Sequence, residues 1–189
     1  IVTGDWSSDV CSSDLVIVDE NADLSDVAKK VMRGKTMNAG QICLAPDYLM
    51  LPKGKSEEFA KASNEAISEM FADLKYNEDY TSVINERHYE RINELVSDAK
   101  EKGAEVIQIN PADEDFEQQE LHKIPPTLVL NPTDEMKIMQ EEIFGPVLPV
   151  KEYEDFDETV NYVNSKDRPL GLYLFSKDKN KETKVLDNA

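Results

Sequence analysis

The stretch LVIVDENADLSDVAKKVMRGKTMNAGQICLAPDYLMLP (residues 15–52) decides the fold. It opens on LVIV, a short continuous apolar run, whereas a strand with one wet face would alternate; it therefore reads as a strand buried on both faces. Asp23 can offer its carboxylate to the orphan amides of a helix start, and Asp26 places negative charge in the first turn, where the helix dipole favours it. Leu24, Val27, Val31 and Met32 fall at helical spacing, and Gly40 is the expected stop. LAPDYLMLP then reads as a second strand.

Outward from this stretch the alternation continues. Ser56 opens a helix to about Phe71 that carries Phe59, Ala60, Ala66, Ile67 and Met70. Asn85 caps a third helix that ends at Gly103, with Lys100 and Lys102 near its C-terminal end. AEVIQI, PTLVLN, VLPVKEY and GLYLFS read as strands, with a short helix from about Asp155 between the last two and a charged helix beginning in KDKNKETKVLDNA. Strands alternating with helices predict an α/β domain, a largely parallel sheet flanked by helices. The abrupt end of the last helix predicts a partial domain. Residues 1–14 follow neither period: SSDV and SSDL flank a cysteine in a Ser/Asp-rich run. That run is expected to be a foreign tract outside the fold, with Trp6 exposed.

Composition narrows the function. The chain of 189 residues has 39 acidic and 21 basic side chains, a net charge of −18. Such a surface repels phosphate backbones and anionic lipid, so neither nucleic acid nor membrane is an expected partner. No apolar run is long enough to span a bilayer. The two cysteines, Cys11 and Cys43, form no CxxC pair and fit a reducing, cytoplasmic setting. With only His88 and His122 beside them, no zinc site is expected. The glycines, at 4, 34, 40, 54, 103, 145 and 171, make neither GxGxxG nor a P-loop. DENAD begins like a calcium loop, but Leu24 and Lys30 stand where glycine and glutamate are needed. ADEDFEQQE reads as a solvated acidic loop and His122 as solvent-exposed.

Cys43 is a lone thiol just past Gly40, and three readings are open: a small buried hydrophobe, a metal ligand, a nucleophile. No cation lies within five residues to stabilise a thiolate, and local sequence favours the buried hydrophobe. By the same local reading Glu142 is a solvated acid beside the Gly145-Pro146 turn, Phe144 a core residue, and His88 a helical surface or core histidine.

Three motifs in order change the weighting. GKTMNAGQICLAPDYLMLP, INERHYERI and MQEEIFGPVLPV together resemble the aldehyde dehydrogenase superfamily. The Ala45-Pro46-Asp47-Tyr48 continuation is similar to its class-3-like branch, which includes coniferyl- and fatty-aldehyde dehydrogenases. The resemblance implies a truncated aldehyde dehydrogenase-type catalytic domain over residues 15–189. It implies that Cys43 is the catalytic nucleophile, forming a thiohemiacetal and then a thioester, with its backbone N–H as one oxyanion donor. It implies NAD or NADP as cofactor, with Glu142 on the nicotinamide ribose and Phe144 bordering it. The family's deacylating glutamate falls at Asp9, which is shorter and lacks the paired glycines, so that role is not carried over. The expected substrate is a small-molecule aldehyde and the parent enzyme a homo-oligomer, the isolated chain being inactive. Two other readings remain: a non-catalytic acidic α/β interaction module, and a thiol-dependent hydrolase or redox protein for which no motif places a histidine.

Overall fold

A computed structural model of the chain describes residues 14–117, 119–166 and 169–189; Trp6, Asp9 and Cys11 lie outside them. The elements run β1 (Leu15–Val18), α1 (Leu24–Thr36), β2 (Tyr48–Pro52), α2 (Ser56–Met70), α3 (Glu86–Glu101), β3 (Glu105–Gln108), β4 (Thr127–Leu130), β5 (Val147–Tyr153), α4 (Phe156–Asn164), β6 (Leu172–Phe175) and α5 (Lys179–Asn188). The strands form one sheet in the order β3-β4-β5-β2-β1-β6. Among the described residues only the β3–β4 pair is antiparallel; the other four pairings are parallel. The expected largely parallel α/β sheet is present.

Successive side chains of the central strands go to opposite faces, and both faces are covered, which is why LVIV needs no polar alternation. Val16, Val18, Leu49, Leu51, Leu128, Leu130, Leu148 and Val150 pack with α1 and α2 through Val27, Val31, Phe59 and Ile67. On the other face Val129 and Val147 meet Ile92, Leu95 and Ala99 of α3. Leu15, Ile17, Tyr48 and Met50 meet Val160 and Val163 of α4 and Val185 of α5. The edge strands β3 and β6 are only partly buried.

Helix ends follow the capping chemistry. Asp23 accepts from the N–H groups of Ser25 (3.0 Å) and Asp26 (3.3 Å), and Asn85 from that of His88 (3.0 Å). The predicted stop at Gly40 needs correction, because α1 ends at Thr36. Asn38, Ala39 and Gly40 all take left-handed backbone, with φ of 51°, 53° and 72°, so the chain leaves the helix before the glycine is reached. Two loop readings also change. Glu114, in the acidic loop, is half-buried and accepts from the N–H groups of Leu74 (2.6 Å) and Lys75 (3.0 Å). His122 is half-buried, with Nε2 2.6 Å from the Glu86 carboxylate and its ring against Tyr89.

Candidate active site

The strands β2 and β5 are parallel neighbours, with Leu49 opposite Val150. The segments that enter their amino ends, residues 37–47 and 141–146, therefore lie side by side, although about a hundred positions separate them. Open α/β sheets usually bind ligands at the carboxyl ends of their strands; these two motifs meet at the opposite end. Gly40 has no room for a side chain. A Cβ there would stand 2.7 Å from the carbonyl carbon of Gly145, closer still to its oxygen, and 3.1 Å from the carbonyl oxygen of Lys35. Asp47 Oδ1 accepts from the buried N–H of Ile143 at 3.1 Å.

The first segment presents Cys43 on a turn closed by the Ala45 N–H bonding to the Ile42 carbonyl at 2.9 Å. The thiol is free and exposed. The loop that carries it is nonetheless tethered on both sides. Gln41 Nε2 donates to the carbonyls of Asn38 (2.9 Å) and Ser82 (3.0 Å), while its Oε1 accepts from the N–H of Ile84 (2.9 Å). The Tyr173 hydroxyl donates to the Leu44 carbonyl at 2.9 Å. An exposed thiol is no core hydrophobe, and the local reading of Cys43 is corrected: the left-handed turn at residues 38–40 lifts it out of the packed layer. Among the described residues no three His, Cys, Asp or Glu side chains gather as metal ligands.

The second segment carries Glu142, half-buried, and Phe144. Phe144 is 37% exposed and has φ 48°, an uncommon conformation for a bulky residue. Its local reading as a core residue is likewise corrected, since the left-handed backbone turns the ring outward. Arg91 of α3 pins the segment: Nη1 donates to the Glu142 carbonyl at 3.1 Å, and Nη2 donates to that of Ile143. Ile92, next in α3, fills the space beside Gly145, where a Cβ would meet Ile92 Cδ1 at 2.5 Å. Met37, Leu44 and Phe144 leave apolar surface exposed on these segments. His88 is exposed in the first turn of α3.

Sequence reasoning missed Arg91, Asp47 and Lys35. Lys35 is fully buried, with Nζ 3.9 Å from Asp47 Oδ1. Burial pulls its pKa down to about 8, against the carboxylates of Asp47 and Glu142, which raise it. A signal for it existed: Val27, Val31 and Lys35 are four apart, so the lysine sits on the apolar face of α1.

The profile of the aldehyde dehydrogenase family matches residues 7–189. The chain belongs to the aldehyde dehydrogenase family. It is 56% identical over 174 residues to a probable coniferyl aldehyde dehydrogenase of Caulobacter vibrioides, covering 92% of this chain and 36% of that protein. It is 31% identical over 173 residues to aldehyde dehydrogenase family 3 member A2 of Mus musculus, covering 91% of this chain and 34% of that one. These relatives place it in the class-3-like branch. The solved structure of Staphylococcus aureus AldH in a substrate-bound state superposes with a TM-score of 0.82 at 33% identity, covering 93% of this chain and 37% of that one. This aldehyde dehydrogenase chain thus spans about a third of the length of the relatives it matches. The family match begins inside the tract set aside above. Asp14, its last residue, is buried, and its carbonyl accepts from the N–H groups of Asp47 (2.8 Å) and Tyr48 (3.3 Å).

Proposed function

We propose that this chain carries the nucleophile and the ribose-facing strap of an NAD(P)-dependent aldehyde dehydrogenase that converts an aldehyde to its carboxylic acid. One observation carries the reading: Gly40 packed on Gly145 sets the exposed Cys43 loop beside the segment of Glu142 and Phe144. The residues fit a nicotinamide riboside. Phe144 offers an exposed aromatic surface, Glu142 a carboxylate able to accept from ribose hydroxyls, and the absence of a Cβ at Gly40 keeps the two segments in contact.

In this reading the Cys43 thiolate attacks the aldehyde carbon and forms a C–S bond, leaving an oxyanion that the backbone N–H of Cys43 helps to stabilise. A dinucleotide held at Glu142 and Phe144 would supply the hydride acceptor. Cys43 then holds the acyl group as a thioester until water releases the acid. The tethers at Gln41 and Tyr173 keep the sulfur in place through these steps, because attack depends on alignment at close range. Arg91 holds the backbone of Glu142, and so the carboxylate, at a fixed height. Kinship with coniferyl aldehyde dehydrogenases, together with exposed Met37, Leu44 and Phe144, supports an aromatic or medium-to-long aliphatic aldehyde. We place the full-length enzyme in the cytoplasm as a homo-oligomer.

Acid quenching of the full-length enzyme during turnover tests the reading. Mass spectrometry of the digest should find the acyl group on the peptide containing Cys43, and Cys43→Ser should abolish both adduct and NAD(P)H formation. An acyl group on another residue, or turnover retained in Cys43→Ser, defeats it.

A further inference from the structure

Lys35 closes the base of the cysteine loop. It ends the buried face of α1, and Asp47, 3.9 Å from its Nζ, stands where the same loop enters β2. Asp47 in turn accepts from the N–H of Ile143, the residue after Glu142, so one lysine–aspartate pair touches both motifs. The ammonium is completely buried and, among the described residues, Nζ makes no hydrogen bond. An ammonium has three donors and a large desolvation cost, so this is an expensive residue to keep on an apolar helix face. Methionine would fill the same space without that cost. The charge must therefore act on something other than packing, and beyond Asp47 the Glu142 carboxylate bears on it electrostatically.

We propose that Lys35 is a positioning residue: its buried ammonium holds Asp47, the acceptor of the Ile143 N–H, and so keeps the strap that carries Glu142 in place against the cysteine loop. The inference rests on the reading of Glu142 as the ribose-binding carboxylate. The charged groups that act on Lys35 are Asp47, on the segment entering β2, and Glu142 on the strap; Arg91 of α3 pairs with the neighbouring Glu141. Arg91 fixes the strap through the carbonyls of Glu142 and Ile143, while the Lys35–Asp47 pair holds it through the Ile143 N–H.

The test is NAD⁺ binding by calorimetric titration of the full-length enzyme in a Cys43→Ser background, which removes turnover. Lys35→Met, Glu142→Gln and the double variant form a cycle. Lys35→Met should weaken NAD⁺ binding by about tenfold, and Glu142→Gln should add little on top, because each loses the same Glu142–ribose contact, one by displacing the strap and one by removing the charge. A lysine that only filled space would give no such coupling. A second measurement needs no change at Lys35. Binding in the Cys43→Ser enzyme should weaken as pH rises through about 8, where the buried ammonium loses its proton; Lys35→Met should not respond. A Glu142→Gln effect without a Lys35→Met effect, additive effects, or binding flat across that pH range would each overturn the inference alone. If Glu142→Gln itself leaves NAD⁺ binding unchanged, the reading of Glu142 falls and the inference falls with it.

Discussion

At the scale of single residues, the site separates a group that makes bonds from groups that hold geometry. In the proposed mechanism Cys43 is the first kind. Serine in its place is far less ionised, and among the described residues no group is placed to activate it, so Cys43→Ser should remove nearly all dehydrogenase activity of the full-length enzyme in a steady-state assay. Glu142→Gln keeps the shape but gives up charge-assisted hydrogen bonds, each worth roughly 1.5–3 kcal/mol. Hydride transfer should slow by about tenfold or more while attack by Cys43 survives. Single-turnover kinetics with a deuterated aldehyde should show a larger isotope effect in Glu142→Gln; an unchanged effect with an unchanged NAD(P)H burst would remove Glu142 from the cofactor site. Lys35 gives a pH signature of opposite sign in stability and in binding. Its folded pKa, about 8, lies below the ordinary value of 10.5, because burial outweighs the neighbouring carboxylates. Between those values the unfolded chain binds the extra proton, so folding stability rises with pH across the window. It is lost again as pH falls through about 8. Relative to Lys35→Met, the wild type should gain on the order of 3 kcal/mol from pH 8 to above 10.5, read from urea melts at each pH. Parallel pH profiles for the two proteins would mean that Lys35 is not a buried cation.

At the scale of elements, the site exists because β5 and β2 are adjacent and parallel, and because two glycine-bearing segments can then touch. Gly40 combines φ 72° with a backbone carbonyl pressed against its missing side chain; Gly54 has φ 77° and nothing within 4 Å of a Cβ. Comparing alanine at the two positions separates strain from contact. Gly54→Ala should cost about 1 kcal/mol, from backbone conformation alone. Gly40→Ala should cost on the order of 3 kcal/mol and push the Cys43 loop away from Gly145, lowering kcat/KM well beyond the loss of folded protein. Equal losses in denaturant melts would mean that the Gly40–Gly145 contact adds nothing. This pair also shows how far the sequence could be read. The β1-α1-β2 unit was legible because burial on both faces, helical spacing and the Asp23 cap are local properties. The end of α1 was not, because left-handed backbone at Asn38 and Ala39 leaves no mark on hydrophobic periodicity. The neighbourhood of Cys43 and Glu142 was supplied by family resemblance alone, since strand order is fixed by long-range pairing that no short window encodes. Lys35 is hidden by its charge, which ordinarily means exposure. Its spacing from Val31 said otherwise.

At the scale of the whole molecule, the question is what this third of an aldehyde dehydrogenase can do by itself. It holds a thiol on a tethered loop and, in the proposed reading, a strap for a nicotinamide riboside. No glycine-rich phosphate loop can be built from its seven glycines, so the cofactor's phosphates would find no cradle. Without that anchor the strap contributes two side chains, too little to offset the cost of immobilising a dinucleotide. The purified chain should therefore give no NAD(P)H from an aldehyde, while iodoacetamide should still alkylate Cys43 readily in the folded state, because the thiol is exposed. The same chain should self-associate. Met37, Leu44, Ile84, Phe144, Leu170 and Leu186 expose apolar surface, and β6 forms a half-buried sheet edge able to pair with another strand. Its charge of −18 opposes that contact at long range. Salt screens the repulsion and leaves the apolar surfaces untouched, so light scattering should show association increasing from low salt to about 0.5 M. Two observations would defeat this account: a monomer indifferent to salt, or aldehyde oxidation by the purified chain that Cys43→Ala abolishes. The second would mean that the fold described here holds the dinucleotide without a phosphate loop.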